Sequence, residues 1–491
     1  MAALKLCILT SEMMPFAKTG GLADVTGALA PELGRLGHDV RAFMPLYRNL
    51  RAGPWDLEDV PTASQVAFSV GGIRYEFSLK AALLPGARHQ VYFIDCPPMF
   101  DRRSYYTEDA DEYRRFLIFT RAVIESCQRL AFAPDVFHCN DWHTALLPLL
   151  LQTVYSWDRL FAASRTVLTI HNIGYQGFMP AGALADLALG PAGEGLLDGA
   201  DLAAGIINAL KTGIKLADVV TTVSPTYARE ICAGALGMGM QDTLRARLDS
   251  VIGILNGVDY SEWDPRHDKY LEAHFSADDL DGKAVNKRGL IASAGLDIDP
   301  AVPVIGMVGR LTEQKGIDLL VGTLPRFLEK RQCAFAILGA GDLRYVEFFE
   351  GLSRRFPGRV SFHAGYDEAR AHLIEAGSDA FLMPSRYEPC GLNQMYSLRY
   401  GTVPIVRNTG GLADSVVHFD PATGLGTGCV FNDYDSFAVE WALGTTLDWF
   451  TDRVSWRRLM RNAMAQDFSW TRQIGQYDRL FQRVAAGSSS A

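Results

Sequence analysis

Residues 304–320 read VIGMVGRLTEQKGIDLL. Residues 304–308 form a short apolar run, Gly309 and Arg310 end it, and a helical pattern begins beyond Gly316. Apolar residues follow one another here instead of alternating. That pattern marks a strand buried on both faces, as in a parallel sheet covered by helices. The same unit of apolar run, glycine or polar turn, then amphipathic helix recurs along the 491 residues. Upstream, the runs are 4–9, 40–44, 91–94, 136–138, 166–170 and 219–223. Downstream, they are 304–308, 334–338, 360–363, 380–383 and 403–406. Two series of this kind predict an α/β protein of two doubly wound domains.

The break is expected near residues 256–265, where the run 251–255 ends in NGVD and a Trp-Asp-Pro turn follows. The reading gives one domain over 1–258, a second over 259–468, and a final segment over 469–491. That segment holds an amphipathic helix over 470–484 that returns to the first domain, then a tail, 487–491, expected to be disordered. Residues 181–202 read as a loop or small helical excursion. Residues 145–151 read as a short helix interrupted by Pro148.

Composition narrows the function classes. Apolar residues make up 48% and charged residues 21%, so a sizeable core can form. The net charge of −9 comes without a basic stripe, which argues against a nucleic-acid binder. An anionic ligand must then be held by a few placed cations and backbone N–H groups. The eight cysteines, Cys7, Cys96, Cys127, Cys139, Cys232, Cys333, Cys390 and Cys429, are scattered without C-x-x-C pairs. They read as small buried hydrophobes in a reducing compartment. The N-terminus lacks a cleavage-site pattern and no apolar run is long enough to span a bilayer, so a cytoplasmic protein without membrane contact is expected.

One hexapeptide occurs twice: Thr19-Gly20-Gly21-Leu22-Ala23-Asp24 returns as Thr409-Gly410-Gly411-Leu412-Ala413-Asp414. Both copies are expected to open a helix. The glycines either permit close packing of helix on sheet, or leave a helix N-terminus open to an anion. Both readings stand for the second copy. Lys18, directly before the first, favours an anion there.

Ligands of open parallel sheets bind beyond the carboxyl ends of the strands. The residues after each run are polar: Ser11-Glu12, Asn140-Asp141-Trp142-His143, His171-Asn172, Gly309-Arg310 with Lys315, Gly365-Tyr366 and Ser385-Arg386-Tyr387-Glu388. Two such edges facing each other would line a cleft between the domains. A lone Arg or Lys is usually a solvated surface charge. Arg310 and Lys315, however, sit at a strand end and a helix entry, where cations oppose the helix dipole. A bound diphosphate would explain that cost. Glu388 reads either as a helix-capping acid or as an acceptor for sugar hydroxyls. His171 reads as a satisfied polar residue or as a sugar contact. His138, Asp141 and His143 lie close in sequence, but strand alternation sends them different ways, so no metal site is expected. Gly339-Ala340-Gly341 lacks the third glycine of a dinucleotide fingerprint, which excludes a nicotinamide site.

Seven segments carry a resemblance: KTGGLADV (18–25), HCNDWH (138–143), TIHNIGYQG (169–177), NGVD (256–259) with its WDP turn, VGRLTEQKGIDLL (308–320), PSRYEPCGLNQ (384–394) and RNTGGLADSV (407–416). In this order, over nearly the whole chain, they closely resemble the bacterial glycogen synthase and plant starch synthase family. The resemblance implies the GT-B fold, two doubly wound Rossmann-like domains whose parallel sheets face a central cleft. The first would lie on the acceptor side and the second would bind the nucleotide sugar. It implies transfer of glucose from ADP-glucose to an α-1,4-glucan with retention, with no metal and no cofactor, ADP-glucose being a substrate.

By motif match, Lys18, Arg310 and Lys315 resemble donor-phosphate ligands, with Gly20 and Gly21 in the same donor-binding loop. His171 and Glu388 resemble contacts to the glucosyl unit, and Asp141 a residue near the donor sugar or acceptor. Asn256 and Tyr366 resemble nucleotide contacts, the Tyr ring being available to stack on adenine. Cys390, Gly391, Leu392 and Asn393 resemble the pyrophosphate cradle. The chain departs from the family pattern at Tyr387, Asn393 and in a shorter 104–116 segment; Tyr396 stands where the wider GT-B group often has a second Glu. No pair of carboxylates suits a double displacement, so front-face attack assisted by the departing phosphate is the expected mechanism. Two other readings are a glucan-binding scaffold on an inactive transferase fold and a GT-B enzyme with another acceptor. Retention of Lys18, Arg310, Lys315 and Glu388 argues against the first. The sequence shows no basic-hydrophobic helix to support a lipid acceptor.

Overall fold

The structure, a computed structural model, describes residues 2–85 and 89–487. Most of the expected tail, 488–491, lies outside the described residues. Contacts divide the chain into a unit of Met1–Ile254 with Gln473–Ala491, and a unit of Leu255–Arg472. The first cut falls a few residues ahead of 258. Strand pairing of the first unit ends at Gly253, and Val258 already donates its N–H to Phe468 O at 2.7 Å.

The first unit is built on seven parallel strands: β1 (Lys5–Leu9), β2 (Asp39–Pro45), β3 (Gln90–Asp95), β4 (Val136–Asn140), β5 (Arg165–Ile170), β6 (Val219–Thr222) and β7 (Val251–Gly253). Their order across the sheet is β7-β6-β5-β4-β1-β2-β3. β1 sits between β2 and β4, with Leu6 opposite both Val40 and Val136. The chain therefore winds outward from β1 in one direction, then returns and winds outward in the other, as in doubly wound sheets. β4 is buried at every residue, which accounts for its unbroken apolar and small-polar sequence.

Beyond β3 the sheet continues antiparallel, through Ile73–Leu83 to Glu58–Asp59, with Val66–Val70 also paired to Ile73–Leu83. This edge was not expected. A search for continuous apolar runs passes over IRYEFSLKAAL, whose apolar residues alternate because one face meets solvent. Residues 181–202 do form a helical excursion, with short helices at Leu184–Leu187, Gly190–Glu194 and Gly199–Ala203. An antiparallel pair, Phe178–Pro180 with Ile206–Asn208, closes its base. The helix Leu147–Gln152 is not interrupted by Pro148, which stands in its first turn, where no N–H is needed.

The second unit repeats the topology with β8 (Val304–Leu311), β9 (Ala334–Gly341), β10 (Val360–Ala364), β11 (Ala380–Met383), β12 (Val403–Arg407) and β13 (Cys429–Phe431). Their order is β10-β9-β8-β11-β12-β13, all parallel. Ile305, Phe335, Leu382, Ile405 and Phe431 pack with Leu320 and Leu324 of the helix Ile317–Lys330 and with Leu443 of Ser436–Thr451 in one core. The last helix, Trp470–Ala485, joins the first unit through Asp478, whose Oδ1 lies 3.1 Å from Nε2 of the buried His38.

Candidate active site

In each sheet the strand order reverses beside the first strand, between β1 and β4 and between β8 and β11. Ligands of doubly wound sheets bind at that point, beyond the carboxyl ends. In the first unit, Glu12 follows β1, and Asp141 and His143 follow β4. Glu12 is buried, and its carboxylate accepts from the Thr19 N–H, the Thr19 hydroxyl at 2.6 Å, the Gly20 N–H at 3.1 Å and the Tyr106 hydroxyl at 2.6 Å. The N–H groups of Thr19 and Gly20 at the entry to Gly21–Arg35 therefore face the chain's own carboxylate instead of lying open to an anion. Lys18 is also paired, with Asp24 Oδ1 at 2.8 Å.

The two copies of the hexapeptide differ physically. Gly20 is extended, and a Cβ there would meet nothing within 4 Å. Gly410 has φ +45°, and a Cβ there would stand 1.8 Å from Glu388 O; one on Gly411 would stand 2.1 Å from Cys390 O. Close packing explains the second copy, whereas at Gly20 neither conformation nor packing demands glycine.

Asp141 adopts φ +55°, uncommon for a residue with a Cβ. Its Oδ1 accepts from the His171 N–H at 2.7 Å and the Asn172 N–H at 3.3 Å. Burial pushes the Asp141 carboxyl up to about 7, against the pull of those two N–H groups. His171 is held in one tautomer. The Asn140 amide donates to Leu9 O at 2.9 Å, which turns its Oδ1 toward His171 Nε2 at 2.8 Å. Nε2 then carries the proton and Nδ1 is left as an acceptor. Burial lowers the imidazole to about 3, so it is neutral near pH 7.

In the second unit, Arg310 is the penultimate residue of β8, opposite Ala340, and is exposed. Lys315 closes a short 3₁₀ turn, Glu313–Lys315, before Gly316, whose φ of +72° turns the chain into the next helix. Its ammonium donates to Glu388 Oε2 at 2.6 Å, and the Ser385 hydroxyl donates to the same oxygen at 2.9 Å. Glu388 is only 4% exposed. The capping reading fails for it. The following helix is Asn393–Arg399, its N-cap is Leu392, and no side chain caps it.

The other expected residues cluster less tightly. Gly391 has φ +72°, and the Asn393 amide donates to Val308 O at 2.9 Å, tying this turn to β8. Asn256 and Cys390 are buried together and hydrogen-bonded to each other; burial pushes the thiol up to about 12. The Asn256 Oδ1 has no protein partner among the described residues. Tyr366 follows β10 and is 73% exposed. The structure thus brings Lys315 together with Glu388, and Asp141 with His171, with Arg310 at the carboxyl end of β8 and Tyr366 just beyond β10.

Glu12, Asn140 and Ser385 show in the sequence only as polar strand ends, and Tyr106 carries no local signal; the structure gives each of them a partner at the site. His138 lies in β4 with Nε2 2.7 Å from Thr169 Oγ1, whereas His143 Nδ1 lies 3.3 Å from Ser11 Oγ. Among the described residues no group of three or more His, Cys, Asp or Glu is arranged to hold a metal, and no helix is long and apolar enough to cross a membrane.

Two family models match: the starch synthase catalytic domain over residues 5–246, and glycosyl transferases group 1 over residues 292–448. Glycogen synthase of Koribacter versatilis is 45% identical over 96% of this chain and 97% of its own length. Glycogen synthase of Anaeromyxobacter dehalogenans is 43% identical over 99% of this chain and 100% of its own. Among solved structures, the catalytic domain of starch synthase IV from Arabidopsis thaliana, bound to ADP and acarbose, superposes with a TM-score of 0.90. It is 35% identical, over 99% of this chain and 100% of that one. Whole-length identity of this kind, on twin doubly wound sheets with polar groups at both reversal points, places the chain in the family of glycogen and starch synthases, glycosyltransferases of the GT-B fold.

Proposed function

We propose that the chain transfers glucose from ADP-glucose to the non-reducing end of an α-1,4-glucan, with retention of configuration and without a metal or other cofactor. The observation that carries the reading is the grouping at the reversal point of the second sheet. There an exposed Arg310, the Lys315 ammonium and the buried Glu388 carboxylate lie among turns tied to β8. Arg310 and Lys315, with Lys18, hold the donor diphosphate. As the glycosidic bond to the diphosphate lengthens, negative charge grows on the leaving oxygens, and cations already in place stabilise it without reorganising. Lys315 has three N–H donors, so it can keep Glu388 and still reach a phosphate oxygen.

Glu388 accepts from glucose hydroxyls, and so does the free Nδ1 of His171. Asp141 orients His171 through its backbone N–H. Tyr366 offers an exposed face to the adenine, Asn256 a nucleotide-side contact, and the turn Cys390–Asn393 the pyrophosphate cradle. The acceptor hydroxyl attacks on the face the diphosphate leaves, and its proton passes to a departing phosphate oxygen. The described cysteines are all free and buried, which suits a reducing cytoplasm.

The test is a comparison of kcat/KM for ADP-glucose and UDP-glucose with glycogen as acceptor, repeated after exhaustive chelation. ADP-glucose should be preferred and chelation should not matter. A UDP-glucose preference would overturn the donor assignment. Activity lost on chelation and restored by Mg²⁺ or Mn²⁺ would overturn metal independence.

A further inference from the structure

The second unit carries a cavity far from the groups described above. It lies at the amino-terminal edge of the sheet. Asp379, on its wall, directly precedes β11 and accepts from the N–H of Val304, the first residue of β8, at 2.8 Å. Arg310 stands near the other end of β8, roughly 20 Å away at the rise of a strand. The cavity is a cleft open to solvent with a volume of about 780 Å³, the size of a small-molecule site.

Its walls are two helices. Asp281–Ser293 presents Lys283 and Lys287, four residues apart and so on one face. Arg453–Met464 presents Arg453, Arg457 and Arg461 at the same spacing, with Arg458 beside them. Against these cations the lining holds one acid, Asp379, paired to Lys287 at 2.7 Å. Like charges four apart on a helix repel, and Arg453 and Arg457 stand near a helix N-terminus, where cations also oppose the dipole. A chain with a net charge of −9 thus places four arginines on one short helix, where their mutual repulsion costs stability.

Several are held in position by the protein. Lys283 is buried, donates to Ala376 O at 2.9 Å and Thr402 Oγ1 at 2.7 Å, and is lowered to about 7 by burial, so it backs the wall without supplying a full charge. Arg453 lies 4.0 Å over the Phe450 ring, and Arg461 donates to Ala277 O at 3.3 Å. Among the described residues Arg457 and Arg458 make no ion pair and no hydrogen bond, and both are exposed. Leu280, Pro300, Phe450, Trp456 and Met460 supply an apolar floor.

The geometry points to a second anion site, for a small phosphate ester that carries two or more negative charges on an organic body, separate from the donor site. The arginines of Arg453–Met464 supply the charge that phosphate oxygens need, and guanidinium groups bind them in pairs. The concave shape with an apolar floor fits a small molecule better than a polymer.

The test uses the full chain with its donor site saturated by ADP. Fructose 1,6-bisphosphate and inorganic pyrophosphate serve as calorimetric probes on wild type and on Arg457→Ser/Arg461→Ser. The sugar bisphosphate should bind with one equivalent, and the variant should weaken it about tenfold or more while basal turnover stays unchanged. Pyrophosphate binding as tightly as the ester would assign the site to the free anion and remove the organic body from the proposal. No binding to wild type at millimolar probe, or equal binding to the variant, would overturn the site.

Discussion

Replacing Glu388 by Gln separates chemistry from architecture at the centre of the second unit. The carboxylate is buried and engaged by the Lys315 ammonium and the Ser385 hydroxyl. Gln keeps the shape and one acceptor oxygen, which Ser385 can still use, but loses the charge. Charge-assisted hydrogen bonds to sugar hydroxyls are worth about 1.5–3 kcal/mol, so kcat should fall roughly ten- to a hundredfold. Breaking a fully buried ion pair costs about 3–5 kcal/mol. Here the Lys315 side chain keeps 24% exposure and its ammonium can turn to water, so the stability loss should be nearer 1–2 kcal/mol. That corresponds to a few degrees in Tm for a unit of this size.

Melting temperature and kcat are read on one preparation, alongside Lys315→Ala and the double variant. If Glu388 matters only by holding Lys315, the double variant should lose no more activity than Lys315→Ala alone. If it binds glucose, the double variant should be slower than either. A covalent nucleophile would show a far larger loss and a glucosyl-enzyme trappable on the wild type. A Glu388→Gln enzyme that melts earlier yet turns over within about twofold of wild type would refute the catalytic assignment.

Lys315→Ala should lower kcat roughly a hundred- to a thousandfold if the ammonium stabilises the leaving diphosphate, and near-normal kcat would refute that role. The same variant should also melt earlier, because it leaves the Glu388 carboxylate buried without its cation. Asp141 is raised to about 7 by burial, so between about pH 4 and pH 7 the native protein holds a proton that the unfolded chain has released, and stability falls as pH rises through that window. Asp141→Asn keeps the acceptor for His171 and Asn172 and removes the titration. Its stability relative to wild type, read from Tm, should be higher at pH 8 than at pH 5 by up to about 3 kcal/mol, and an equal difference at both pH values would refute the assignment. Gly410→Ala should cost several degrees in Tm through the clash with Glu388 O, whereas Gly20→Ala should leave Tm nearly unchanged and lower donor affinity in a binding titration; equal destabilisation by both would undo the distinction between the two copies.

Residue patterns alone determined the doubly wound character of both units. A strand covered on both faces must be apolar at successive residues, so β4, β5 and β8 show in their own sequences, and the polar residues that follow them mark the ligand edge. The antiparallel edge around Ile73–Leu83 was readable only with a different template, since half of its side chains face water. Single segments do not reveal which strand-end residues become partners. Lys315 and Glu388 stand 73 residues apart and meet because β8 and β11 are neighbours in the sheet. Glu12 takes the N–H groups that the first hexapeptide was expected to offer an anion, and Asn140 sets the tautomer of His171 from an adjacent strand. The cations of Asp281–Ser293 and Arg453–Met464 read separately as ordinary solvated helix faces, and only their packing onto one edge of the sheet brings them together. Local pattern carries burial, because each side chain's contact with water is set by its own strand or helix. Partnership depends on which strands and helices become neighbours, and that was decided when the sheets wound outward from β1 and β8.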